Sequence, residues 1–207
     1  MSGADDAVMP GARGGRRRSW LMATVVIVGI VLTGLAARQV WRAEDRDMRQ
    51  AALTEAHIAG SAVNWRHIER LKGSTADLGT ASYARLGEQL RRVRKMHPRC
   101  RFAYILRRLS DGTVISLVDS EAPGSRDYSP PGRLLPAVDA SIVRAFVAGQ
   151  GSTTGPVRDR WGVWMRSIVP LTNPESGQII AVLGMDVDAR DWNSTLLART
   201  IGPVGAV

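Results

Sequence analysis

The longest apolar run in the chain lies near its start. From Ser19 to Ala37 no residue is charged, Leu21 to Leu35 reads LMATVVIVGIVLTGL, and Arg18 and Arg38 bound the run. About 17 to 25 predominantly apolar residues carry a helix across the core of a bilayer, so residues 19–37 are predicted to be a transmembrane helix with little tilt. A cleaved signal peptide would use Arg16, Arg17 and Arg18 as its basic end and Gly34-Leu35-Ala36 as its cleavage site. Its apolar stretch is usually about 7 to 15 residues, shorter than this one.

Beyond the span the period is helical. Met48, Ala51, Ala52, Ile58, Ala59, Ala62 and Trp65 recur at three-, four- and seven-residue spacings, which places them on one helix face. After the span no proline occurs until Pro98, and no turn cluster before Lys72-Gly73-Ser74. The membrane helix is therefore predicted to continue as one long helix to about residue 72. A second helix is expected over Tyr83–Met96, ended by His97-Pro98.

At Arg101 the texture changes to strands. Arg101–Leu109 is rich in aromatic and aliphatic residues, Ser110-Asp111-Gly112 is turn chemistry, and Thr113–Val118 is β-branched, which reads as a hairpin. The loop from Ser120 to Pro136 holds four prolines and two glycines, and long loops of this kind are often functional. A short helix is predicted over Ala137–Ala148, stopping at Gly149. Strands follow at Thr153–Arg158, Val163–Pro170 and Gln178–Val187. The run QIIAVLGMDV is apolar at both parities except for Asp186, the pattern of a central strand covered on both faces. Asp188 is placed as the cap of a closing helix, with Asp191 in its first turn.

The elements thus divide the chain into a basic tail (1–18), a transmembrane helix (19–37), a helical segment (38–98), a sheet domain (99–192), and a closing helix leading to the start of a second span (193–207). The fold class is α+β. The uncharged end, Ile201 to Val207, is read as the point where a longer chain has been cut.

Charge refines the picture. The net charge is +9 with a pI near 11.0, and the densest basic stretch, Arg85 to Arg108, has nine cationic residues against Glu88 alone. Such a balance raises nucleic acid as a partner, but a domain outside the cytoplasm never meets it, and a solvated helix face is the plainer account. Four arginines precede the span (Arg13, Arg16, Arg17, Arg18) and four follow it (Arg38, Arg42, Arg46, Arg49). The positive-inside count is close to a tie, and the compact first cluster is taken to hold the N-terminus in the cytoplasm. The single cysteine, Cys100, rules out an internal disulfide.

No residues form a catalytic constellation, and no metal or cofactor is expected. Gly149-x-Gly151-x-x-x-Gly155 lacks the lysine of a phosphate loop. Asp186, Asp188 and Asp191 suggest a metal, but capping accounts for the last two. Asn193-Ser194-Thr195 matches a glycosylation sequon by chance. Ligand binding is the better reading, because pockets combine aromatic walls with a few placed polar groups. Asp119 ends a strand, Tyr128 sits in the long loop, and Trp164 and Arg166 share one strand face. Asp186 is the lone acid of the central strand and needs a partner, either a ligand or an arginine such as Arg107 or Arg166. Trp161 reads first as a turn anchor and Tyr104 first as core.

Three segments carry a resemblance. Asp119-Ser120-Glu121 with Pro123-Gly124-Ser125 and Asp127 to Gly132, then Asp159-Arg160-Trp161-Gly162-Val163-Trp164, then Ala181 to Asp188, resemble PAS/Cache-type extracytoplasmic sensor domains over residues 40–198. Two strands, a crossover and three antiparallel strands are also PAS-like, so a five-stranded antiparallel sheet with flanking helices is expected. The resemblance implies the input region of a bacterial inner-membrane receptor, with a histidine kinase or, alternatively, a diguanylate cyclase as output. Its partners would be a small-molecule or protein signal, the bilayer, and a second copy through the long helix. The chain itself departs from the full pattern. His57, His67 and His97 lack a phosphoacceptor context, and neither a nucleotide lid nor a cyclase signature is present. A membrane-anchored scaffold that binds without signalling is the alternative from a different class.

Overall fold

The computed structural model describes residues 13–135 and 138–201, which fall into two units, residues 1–43 and Glu44–Val207. The expected basic tail (residues 1–12 of it) and the expected start of a second span (residues 202–207) lie outside the described residues.

In the first unit, the N-terminal part of helix α1 (Arg13–Ser61) carries the apolar run. Trp20, Leu21, Val25, Ile27 and Ile30 are each more than 60% exposed, a continuous apolar surface that water would penalise and lipid would not. The hydroxyls of Thr24 and Thr33 are satisfied internally, donating to the carbonyls of Trp20 and Gly29 at 2.9 Å. This is the one helix among the described residues long and apolar enough to cross a membrane.

The second unit is α+β, as predicted. Strands β1 (Cys100–Arg108), β2 (Val114–Asp119), β3 (Ser152–Asp159), β4 (Gly162–Thr172) and β5 (Ile179–Asp188) form one antiparallel sheet in the order β2-β1-β5-β4-β3. β5 is central, and Ala181 to Asp186 are all buried. One face is covered by α1 and α3 (Ala81–Met96), where Ala56, Ala59, Leu86 and Leu90 meet Ile105, Leu117, Val169 and Leu183. The other face is covered by α4 (Ala140–Ala148), whose Ile142 and Ala145 pack on Leu106, Ile168 and Val182. Apolar residues at both parities of β5 thus have a layer on each side.

α1 ends earlier than its pattern suggests. It stops at Ser61, whose hydroxyl bonds back to the carbonyl of Ile58 at 2.7 Å, and Asn64 then caps the short α2 (Trp65–Glu69) by accepting from the amide of Arg66. Side chains of this kind compete with the helical backbone for its own hydrogen bonds. Next, the Asp77 carboxylate gathers the amides of Lys72, Gly73 and Ser74 into a tight turn ahead of a short 3-10 helix (Thr75–Gly79). The buried stripe of α1 also differs from the expected one. Met48, Ala56 and Ala59 face the core, as does Val63 just beyond the helix end, whereas Ala51 and Ile58, and Ala62 after the helix, are exposed. Gly60 allows a close approach to the sheet: a Cβ there would lie 3.2 Å from Leu171 and 3.3 Å from Val169.

α4 begins at Ala140 rather than Ala137, which itself lies outside the described residues. The Asp139 carboxylate accepts from the amides of Ser141 and Ile142, and Gly149 ends the helix at φ 65°. The closing helix α5 (Ala189–Ile201) follows β5 directly, with Asp188 accepting from the amide of Arg190 at 2.8 Å.

The β2 edge is covered, and the β3 edge is contacted at two points. Along β2, the long loop runs as a partner strand: Ser116 donates to the carbonyl of Arg133, and Gly132 and Leu135 donate to those of Ser116 and Val114, at 2.8–2.9 Å. At β3, the Arg49 guanidinium reaches the carbonyls of Thr153 and Gly155.

Candidate functional site

On the α4 face, the register of three neighbouring strands brings polar groups together. Arg166 on β4 pairs directly with Asp186 on β5, Phe102 on β1 lies on the other side of Asp186, and Tyr104 pairs with Gly184. Gly184 makes the arrangement possible. A Cβ there would sit 2.2 Å from the Tyr104 ring, so the ring crosses the strand where no side chain stands. The Tyr104 hydroxyl then donates to Asp186 at 3.1 Å. Arg166 grips the same carboxylate with two prongs, Nε to Oδ1 at 3.0 Å and Nη2 to Oδ2 at 3.1 Å, the geometry that suits a guanidinium best. Asp186 is 2% exposed.

Two more acids reach the same guanidinium. Asp159, at the end of β3, accepts from Nη2 at 3.1 Å, and Asp139, the cap of α4, accepts from Nη1 at 3.3 Å. Asp159 is itself fixed by the amide of Trp161 and the indole of Trp164, both at 2.8 Å. One cation therefore faces three carboxylates. Burial pushes the Asp186 carboxyl above its usual range despite Arg166. For Asp139, burial acts upward, but the Ser141 hydroxyl, the Ile142 amide and Arg166 outweigh it and hold the carboxyl low. Burial, then the charge of Asp186, raises the Tyr104 phenol well above its usual range. Burial opposes the charge on Arg166, but the carboxylates of Asp186 and Asp139 keep it firmly protonated.

These groups floor a cavity of about 370 Å³. Its walls are apolar, formed by Leu106, Leu135, Val138 and Val157 with the rings of Phe102 and Trp161. At its rim the Trp161 ring carries the Arg160 guanidinium 3.8 Å away, with that of Arg133 at 6.0 Å. Asp119 lines the loop side. Its carboxylate accepts from the amides of Glu121 and Ser129 at 2.9 Å and so folds the long loop back over β2. Burial nevertheless lifts its carboxyl to about 6.

Of the predicted site residues, Asp119, Arg166 and Asp186 come together at this cavity. Tyr128 and Trp164 do not line it. The Tyr128 hydroxyl bonds that of Tyr83 on α3 at 2.7 Å, and Trp164 is buried, edge-on to Phe102 at 5.0 Å. Of the two arginines considered as partners of Asp186, Arg107 instead caps the end of α2, donating to the carbonyls of Ile68 and Leu71. Asp139 and Arg133 line the cavity without having been singled out, and Asp159 and Arg160, quoted only for the resemblance, line it too. Asp139 was signalled by its place after a proline loop and before a helical period, Asp159 by its place at a strand end. Cys100 is buried, its thiol pushed up to about 12 by burial, and donates to the carbonyl of Phe102.

The strand order, the long N-terminal helix and the cavity on the α4 face define the fold of PAS/Cache-type extracytoplasmic sensor domains. The sensory domain of the Campylobacter jejuni chemoreceptor Tlp3 (CcmL) is similar over 81% of this chain and 64% of its own length, with 16% identity and a TM-score of 0.50. The sensor domain of the V. cholerae histidine kinase DctB is similar over 77% of this chain and 56% of its own (14% identity, TM-score 0.52). An extracellular ligand binding receptor from Desulfohalobium retbaense is similar over 79% and 27% (10% identity, TM-score 0.54). The chain thus spans less than two thirds of the length of each. No known protein-family profile matches the chain, and no curated protein does.

Proposed function

We propose that this chain is the extracytoplasmic input region of a membrane-bound signalling receptor, and that its signal is a small molecule held in the Arg166–Asp186 cavity. The cavity carries this reading: apolar walls, an aromatic rim and convergent buried polar groups are what small-molecule sites are made of. Three carboxylates against one guanidinium leave the floor short of positive charge. Arg133 and Arg160 give the rim the opposite character. The arrangement fits a small dipolar compound, its cationic group toward Asp159 and Asp139 and its anionic group beside Trp161. The apolar run of α1 anchors the domain, the N-terminus lies in the cytoplasm, and the receptor acts as a homodimer through α1. A histidine kinase output is favoured, since the fold recurs in a kinase sensor.

The test is a thermal-shift screen of the full chain in detergent against amines, carboxylates and zwitterions below 370 Å³ in size. Zwitterions should raise the melting temperature saturably. Gly184→Ala, whose Cβ would displace the Tyr104 ring from the cavity floor, should abolish the shift while the protein still melts cooperatively. An equal shift in wild type and Gly184→Ala would place binding elsewhere.

A further inference from the structure

On the opposite face of the sheet, level with the Arg166–Asp186 pair, a second polar cluster joins α1 to β3 and α5. On α1, Asp45 accepts from the Trp192 indole of α5 at 3.0 Å and from Arg49 at 2.7 Å. Arg49 also reaches the Thr153 and Gly155 carbonyls of β3 at 3.4 Å, and its guanidinium lies 5.9 Å from the Trp192 ring. Met48, one turn along, packs with Trp192, Met165 and Leu196. Two adjacent turns of α1 therefore hold both β3, the strand that ends in Asp159, and α5, the helix that continues β5 directly beyond Asp186. Each of the two strands delivers one carboxylate to Arg166.

We infer that Asp45, Arg49 and Trp192 form a latch that couples the cavity to the grip of α5 on α1, which rests on reading the cavity as the ligand site. A compound that moves Asp159 and Asp186 relative to each other moves β3 and β5, and on the α1 face the latch holds β3 and the helix that follows β5 to the same stretch of α1. The latch is suited to release. The Asp45 and Arg49 side chains are about a quarter exposed (26% and 28%), and ion pairs so placed hold weakly. The indole N–H is a buried donor that needs its acceptor, so α5 has a defined seat on α1. A cavity of about 190 Å³ beside the latch, lined by Met48, Glu55, Met185 and Trp192, leaves α5 room to shift.

Coupling between separated sites is reciprocal, so it is readable without a ligand. Hydrogen exchange is followed in the full chain in lipid nanodiscs for wild type, Tyr104→Phe, Trp192→Phe and the double variant. Tyr104→Phe removes one hydroxyl from Asp186 and touches nothing in the latch. It should speed exchange across Ala189–Thr195 roughly three- to tenfold, the scale of one lost hydrogen bond. Trp192→Phe, which keeps a ring but loses the indole donor, should speed the same amides and those of β3 while β1 stays protected. The double variant should show no further gain over Trp192→Phe. Unchanged α5 exchange in Tyr104→Phe, or effects that simply multiply in the double variant, would overturn the latch. If Trp192→Phe does not fold, Asp45→Ala, which removes the acceptor of both the indole and Arg49, takes its place with the same expectations. Coupled exchange with no compound stabilising the chain sinks the sensor reading and keeps the latch. Binding with uncoupled exchange does the reverse.

Discussion

Asp186→Asn and Arg166→Met remove opposite halves of one buried ion pair, and the structure predicts that they are far from equivalent. Breaking a buried pair typically costs about 3 to 5 kcal/mol because the remaining charge is stranded. Asp186→Asn strands nothing. Arg166 keeps Asp159 at 3.1 Å and Asp139 at 3.3 Å, and an asparagine oxygen can still accept from Nε. The loss is one charge-assisted hydrogen bond, about 1.5 to 3 kcal/mol. It is offset in part by relief from ionising a carboxyl that burial already pushes upward. The expected net cost is about 2 kcal/mol. Arg166→Met leaves three carboxylates facing one another without a cation, so its cost should reach or exceed the upper end of the stranded-charge range, about 5 kcal/mol. Urea melts at pH 7 measure both. The Arg166→Met deficit should also shrink at pH 4.5, where carboxylates clustered without their cation take up protons, whereas that of Asp186→Asn should grow, because the raised Asp186 carboxyl gives wild type extra stability as pH falls. Equal costs at pH 7, or an Arg166→Met deficit indifferent to pH, would refute the reasoning that Arg166 is shared.

Two further outcomes are expected. The Asp119 carboxyl stands at about 6 in the fold against about 3.9 in an unfolded chain, so the folded state holds the proton more tightly. The stability this contributes is full below about pH 3.9 and is lost as pH rises through 6, a change of about 3 kcal/mol. Asp119→Asn should therefore gain on wild type across that window in chemical melts, and a constant difference would count against a buried, titrating Asp119. Tyr128→Phe should cost about 1 kcal/mol, the hydroxyl bond to Tyr83, and leave any ligand-induced thermal shift intact. A lost shift would put Tyr128 in the site after all.

Which features were legible in the sequence follows from how far apart their causes lie. The central strand was readable because both parities of Ile179 to Val187 are apolar, a local fact. Asp186 stood out against that background for the same reason. The end of α4 was written in Gly149. The stop of α1 at Ser61 was not visible, because hydroxyl and amide side chains that break a helix also occur within helices, and nothing nearby marks Asn64 as a cap. Strand parity put Trp164 with Arg166 but could not say that the cavity ends before Trp164. The trio Asp139, Asp159 and Asp186 comes from three elements and exists only once the strand order is set. Tyr104 reaches Asp186 because the residue opposite it, eighty positions on, is a glycine.

The sheet edges bear on how copies of this protein can meet. Strands recruit other strands through unpaired backbone groups, yet the loop has taken those of β2, and Arg49 and Pro156 blunt β3. Association by extending the sheet from one molecule into the next is thereby blocked along β2 and disfavoured at β3. Self-assembly is left chiefly to side-chain surfaces on the helices, where pairing can be reversible and need not compete with the fold.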